Sequence, residues 1–340
     1  GFSVAVNKGT ADLNAKQNAY AFGTGSATVF GKVEILSKLN VPESGAGTHG
    51  AKATVRGPAG SLSAISADTN KAYANSSSEN TGYIEDIDLS ADSVEIHVKT
   101  VNLANARAEN GTSVSLVTLG NLYAESYTAD KTVAKISGGK VTATVGSVDL
   151  DAESNSTSYA LATAGGSAAL VSATKSESKA YVGKSSKKQS AEVFIEADAI
   201  IKAKQDVDLF AYNTGSAEAV IQKGGSYSIG SVSSSSLPTS SHYDTYAGVK
   251  DGCSVTADGN INIRAQDYAK ARSDAKDTSM GFGINSATTY GSNTIDCVMK
   301  VGVGASKLFA TESVLIQADS NAYMYALTHA SVGSFFFGSG

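Results

Sequence analysis

Four histidines (His49, His97, His242 and His329) and two cysteines (Cys253 and Cys297) are the residues best able to ligate a transition metal. None of them falls in an HxH, HExxH or CxxC arrangement. Hydroxyls abound, yet no GxSxG elbow presents a serine as a nucleophile. The calcium repeat GGxGxDxUx and the EF-hand loop are also absent. One ordered set of titratable groups remains: Glu34, Glu95, Asp149 and Asp208, followed at the equivalent later places by Asn262 and Leu315. Each follows the first apolar residue of an apolar-x-apolar triplet, so the four acids share an outward stripe. Such a stripe offers itself to calcium or to a cationic surface. If its members stand two or three coils apart, about 10 to 14 Å, salt screens them and they act as a solubilising face. The sequence therefore assigns no catalytic, cofactor-binding or metal-binding residue.

The composition narrows the field of partners. Net charge is -5, from 27 basic and 32 acidic residues, and only Arg56, Arg107, Arg264 and Arg272 are arginines. That leaves no basic field to hold nucleic acid. The densest basic run, Lys184-Ser-Ser-Lys187-Lys188, reads as a solvated turn. Two cysteines outside any cluster read as buried free thiols. No run approaches the roughly 20 apolar residues of a membrane helix, and "GFSVAVNKGTADLN" lacks the regions of a signal peptide, so the chain reads as a mature or excised piece with no membrane insertion.

The elements that would position any site repeat along the chain. Tryptophan is absent, prolines number 3, and the apolar share is mostly Ala and Val, a mixture that fills a thin interior and favours long hydrogen-bond ladders. The triplets Val33-Glu-Ile35, Val94-Glu-Ile96, Val148-Asp-Leu150, Val207-Asp-Leu209, Ile261-Asn-Ile263 and Val314-Leu-Ile316 recur at intervals of 61, 54, 59, 54 and 53 residues. A strand and a two- or three-residue turn precede each anchor, as in "DGCSVTADGNINI", where Cys253, Val255 and Ala257 and then Ile261, Ile263 and Ala265 alternate inward. About 20 residues after the anchors come Val114, Ala168, Tyr227, Phe282 and Phe335, with Leu62 later because of the insertion "PESGAGTHG".

Phe2, Tyr227, Phe282 and Phe335 share a phase in this alignment, which places Gly1 level with Gly281. "SVSSSSLPTSSH" (231–242) reads as a lengthened loop in the phase of 284–294. The ring facing outward in Phe335-Phe336-Phe337 hints at contact with another chain or repeat. The residues before Val33 and from Val314 onward together make 59, one further repeat. The expectation is an all-β fold: residues 1–340 form a single continuous β-solenoid, a right-handed parallel β-helix of about six 53–61-residue repeats, uncapped at both ends. With two or three coils per repeat, the rod would be roughly 60 to 90 Å long.

The alternation around "SYALATAGG" (158–166) and "AYVGKSS" (180–186) resembles the repeats of leukotoxin-family and filamentous-haemagglutinin-like secreted bacterial adhesins. The segments "SAEVFIEADAIIKAKQDVDL" and "PESGAGTHG" depart from that pattern. The resemblance implies a non-enzymatic stalk or filament segment, exported to the cell surface. Its neighbours would be further repeats or copies of itself end to end, with a host or bacterial surface ligand. A self-assembling extracellular filament subunit is the alternative within this class. A β-helical polysaccharide-acting enzyme is the alternative outside it, and would need the clustered carboxylates that dispersed acids do not supply.

Overall fold

Small or apolar residues alternate with polar ones for about twenty residues at a stretch, which buries one face of an extended chain. The computed structural model describes residues 1–42, 50–57, 61–334 and 337–339. The chain opens with a long return strand, β1 (Phe2–Phe22), a short strand, β2 (Ser26–Thr28), and an anchor strand, β3 (Lys32–Leu39), which resumes as β4 (Ala51–Arg56). The same succession follows as β5 (Ser61–Glu85), β6 (Asp88–Ala91) and β7 (Ser93–Asn110), then β8 (Ser113–Ser137), β9 (Lys140–Ala143) and β10 (Val148–Ala164). Next come β11 (Ser167–Val182), continued as β12 (Gln189–Glu196), with β13 (Ile200–Ala203) and β14 (Val207–Lys223). Then follow β15 (Ser226–Val249), β16 (Ser254–Ala257) and β17 (Ile261–Gly281), and finally β18 (Ile284–Val303), β19 (Lys307–Ala310), β20 (Val314–Ser334) and β21 (Phe337–Ser339).

Every ladder between these strands is parallel, and the anchors lie in one register. Val94 pairs with Val33 and Val148, Val207 with Val148 and Ile261, and Ile261 with Val314. Among the described residues the short strands form a six-stranded sheet, β19-β16-β13-β9-β6-β2. The long strands form a fifteen-stranded one, its return and anchor ladders joined where β15 meets β17.

Strand partners lie 52 to 63 residues apart, the full spacing of the anchors. The chain thus passes through one return, one short and one anchor strand before meeting its own partner. The expected two or three coils per repeat is corrected to one. The reason is strand length: at about 3.3 Å per residue, 20-residue strands run roughly 65 Å, far beyond the usual five or six residues. Six layers about 4.8 Å apart span roughly 29 Å, so the expected 60 to 90 Å rod becomes a broad, shallow slab.

Other expectations shift with the register. Leu62, Val114, Ala168 and Tyr227 form one column, but Met280, not Phe282, pairs with Tyr227, and Phe2 pairs with Ile65. The column Ser3, Ser66, Thr118, Ser172, Ser231 and Asn285 sets Gly1 level with Gly283, two places from Gly281. Residues 231–242 are strand, not loop, because their serines alternate inward and find partners there. Turns between short and anchor strands run from one to four residues.

The segment 190–209 follows the common pattern, Ser190 pairing with both Lys131 and Asp244. The excess lies before it. Residues 183–188 stand where β15 has only His242. There Lys184 and Lys187 exchange main-chain hydrogen bonds (3.0 and 2.9 Å), so the basic run is a turn as expected. Gly183 opens it at φ +68°, where a Cβ would lie 2.3 Å from the His242 carbonyl oxygen. The pairs Leu39–Thr100 and Ala51–Ala104 bracket the other excess, 40–50, although 43–49 lie outside the described residues, as do Phe335 and Phe336.

The interior has three zones. Near the short strands, Val94, Ile96, Ile136, Ile195, Val141 and Ile201 form a core closed from three sides. Toward the opposite edge the core thins to alanines such as Ala72, Ala104, Ala160 and Ala217 with Leu122 and Leu237. Between them the inward positions are polar: Thr132 donates to Thr100 (2.8 Å) and Ser37 to Asn80 (2.5 Å), all buried. Asp130 lies in this belt and accepts from Ser78 (2.6 Å), Asn102 and Ser156. Burial pushes its carboxyl up to about 6 against those hydrogen bonds. Further along, the Lys223 ammonium meets the Asp277 carboxylate at 2.9 Å with side chains 3% and 1% exposed. Lys223 also donates to the Ser234 carbonyl (2.9 Å), and Asp277 accepts from Ser233 (2.8 Å) and Ser235 (3.1 Å).

Candidate functional site

Inward Val94, Val148 and Val207, each buried, fix which way the anchor strands face. The residue after each must then project from the sheet. Glu34, Glu95, Asp149, Asp208, Asn262 and Leu315 accordingly form one file on neighbouring strands. Their backbones are about 4.8 Å apart. The expected separation of 10 to 14 Å is corrected by the single circuit per repeat, and at this range salt no longer isolates the charges.

Counter-charges come from two residues to either side of this file, Lys32 before Glu34 and His97 after Glu95, and His97 stands beside a further acid, Asp151. Lys32 reaches Glu95 at 2.8 Å and Glu34 at 3.6 Å. His97 bridges Glu95 (3.0 Å) and Asp151 (2.9 Å), and Asn262 donates to Asp208 (2.7 Å). The Lys32 hydrogen bond holds the Glu95 carboxyl low despite partial burial. For His97, burial works downward, but Glu95 and Asp151 outweigh it and raise its pKa. Asp149, flanked by Glu95 and Asp208, is pushed up to about 7 by burial first and then by Asp208, Asp151 and Glu95. Asp151 is also raised, chiefly by burial.

Ligand atoms of Glu34, Glu95 and His97 lie within 4.8 Å of one another, a spacing that suits a cation. The Lys32 ammonium already serves these carboxylates, and three donors fall short of the six to eight oxygens calcium takes. The arrangement crowds acids at short range, and burial together with that crowding raises the carboxyl of Asp149 to about 7. The sequence stripe led to the four acids. The part played by Lys32, His97 and Asp151 was missed, although their offsets of two from the stripe residues carried the signal.

The remaining chemistry is dispersed. His242 contacts Asp296 (3.3 Å), and His329 contacts Ser331 (2.8 Å), while His49 lies outside the described residues. Cys253 is a free thiol in the larger apolar core, and Cys297 is free and packs against the alanine-rich one. No helix of the described residues is long and apolar enough to cross a membrane. No family model, curated protein or solved structure matches the chain.

Proposed function

We propose that the chain is a non-enzymatic structural module: a β-solenoid of about six one-coil repeats, a stalk or filament segment of a secreted, cell-surface adhesin-like bacterial protein. The observation that carries this reading is the anchor column, six apolar triplets in unbroken parallel register. Such a column lets identical main-chain ladders repeat without limit, and stiffness rather than turnover is what that delivers. The extracellular assignment rests on the resemblance of its repeats to secreted adhesins.

End-to-end association, within one long chain or between copies, is the second reading. Ile316 on β20 is 50% exposed, whereas Ile263, its partner on β17, is fully covered. A further strand laid on β20 would cover it in the same way. Negative-stain electron microscopy of the purified chain tests both. Discrete slabs about 30 Å by 65 Å support the module, and fibres growing along the 30 Å direction support end-to-end assembly. Turnover on a panel of acidic and neutral glycans would overturn the non-enzymatic reading.

A further inference from the structure

Where each anchor strand gives way to the next return strand, the usual sense of the surface is inverted. The inward positions are hydroxyls: Ser113, Ser115 and Thr118 on β8, Ser167 and Ser172 on β11, and Ser228 and Ser231 on β15 are all buried. They bond among themselves or to a neighbour, Ser115 to Thr118 (2.7 Å), Ser167 to Ser172 (3.3 Å) and Ser231 to Asn285 (2.7 Å). The outward positions are apolar: Val114, Leu116, Leu170, Tyr227, Ile229 and Met280 are each between 46% and 63% exposed. Val114, Tyr227 and Met280 belong to one column, and Leu116, Leu170 and Ile229 sit where pairing is skipped between Ser115 and Val117, so two outward rows run side by side.

These rows make a ribbon along the stacking direction. Five strands at about 4.8 Å and six positions at about 3.3 Å give roughly 24 Å by 20 Å, or about 500 Å². The stretches 113–119, 167–173 and 226–232 contain no charged residue. A patch of that size is near the upper end of what a monomer leaves bare, and with a polar rim it reaches the roughly 800 Å² per partner of a standard interface.

We propose that this ribbon is the face through which two copies of the chain associate side by side about a two-fold axis. Three features favour a second copy. An uncharged ribbon meets its own image without like-charge repulsion. A ladder with a 4.8 Å period matches another of the same period. Tyr227, Ile229 and Met280 also line a groove able to take an apolar side chain from the opposite ladder. An anionic lipid surface would instead call for free basic residues alongside. Of the flanking basic residues, Arg56 and Lys175 are already paired with Glu109 (3.0 Å) and Glu177 (2.7 Å), and the exposed Lys276, four residues before Met280, is too little charge for such a surface.

Sedimentation velocity on the full chain tests this, comparing wild type with Leu116→Ser, Ile229→Ser and the pair combined. Wild type is expected to dimerise, each substitution to weaken dimerisation about tenfold or more, and the double variant to run as a monomer with its far-ultraviolet circular dichroism unchanged and its Tm lowered only to that of the diluted wild type. Ile316→Lys, on the open edge of β20, separates this contact from end-to-end stacking and is expected to leave the pair intact. A wild type that stays monomeric, a double variant that dimerises as well as wild type, or a monomer that floats with neutral or anionic vesicles would each overturn the assignment.

Discussion

Substituting Asp277 by Ala probes how dry the interior is. It leaves the Lys223 amine, whose pKa burial already lowers against the pull of Asp277, without a counter-charge. If the ammonium stays charged, removing one partner of a buried pair costs about 3–5 kcal/mol. If it sheds its proton, taking that proton from a lysine with an ordinary pKa of about 10.4 costs about 4.6 kcal/mol at pH 7 and about 1.9 kcal/mol at pH 9. The expected loss is therefore about 3–5 kcal/mol at pH 7 and about 2 kcal/mol at pH 9, each against wild type at the same pH. For 340 residues unfolding together, the unfolding entropy is about 0.7 kcal/mol/K, so the pH 7 loss lowers Tm by about 4–7 °C. Lys223→Met combined with Asp277→Asn keeps an acceptor for Ser233 and Ser235 and is expected to recover most of the loss. Calorimetry or circular-dichroism melts at the two pH values read both variants against wild type. A loss below about 1 kcal/mol at pH 7, or one that does not shrink at pH 9, would refute burial of this pair in a dry interior.

Two further outcomes follow. Because the Asp149 carboxyl titrates near 7 when folded and near 3.9 when unfolded, the folded state holds a proton longer, so stability falls as pH rises from about 4 to 7 and is level above. Asp149→Asn is expected to raise Tm over wild type at pH 8 and not at pH 4; an equal gain at both would refute the titration. Leu209→Ala, at a fully buried anchor, is expected to cost about 2–5 kcal/mol, while Leu36→Ala, 44% exposed on the outward face of β3, stays within about 0.5 kcal/mol by urea denaturation.

The anchors were legible because each couples a turn signal to two apolar residues at period two, and every one of them falls into the same column. Circuit length was not. In β7, "SVEIHVKTVNLANARAEN" runs 18 residues without a Gly or Pro, which points to longer strands, but the usual strand is far shorter, so the spacing was still divided among imagined extra turns. Residues 231–242 misled for a related reason: serine is common in loops, and only partners such as Asp277 and Asn285, 42 to 54 residues on, reveal that this run faces inward. The acidic stripe was legible as a row, but its crowding depended on the circuit length and was lost with it. Asp130 was invisible, since nothing local distinguishes a buried acid in a polar belt from a solvated one.

The turn at 183–188 bulges between β11 and β12 without disturbing the pairs that both make with β8 and β15, and Lys184 and Lys187 close its base. Such a closed neck means that extra residues spliced between Ser185 and Ser186 need not be accommodated by the strands. The chain could thus carry a foreign epitope at a fixed height above a rigid platform, which would make it a scaffold for antigen display.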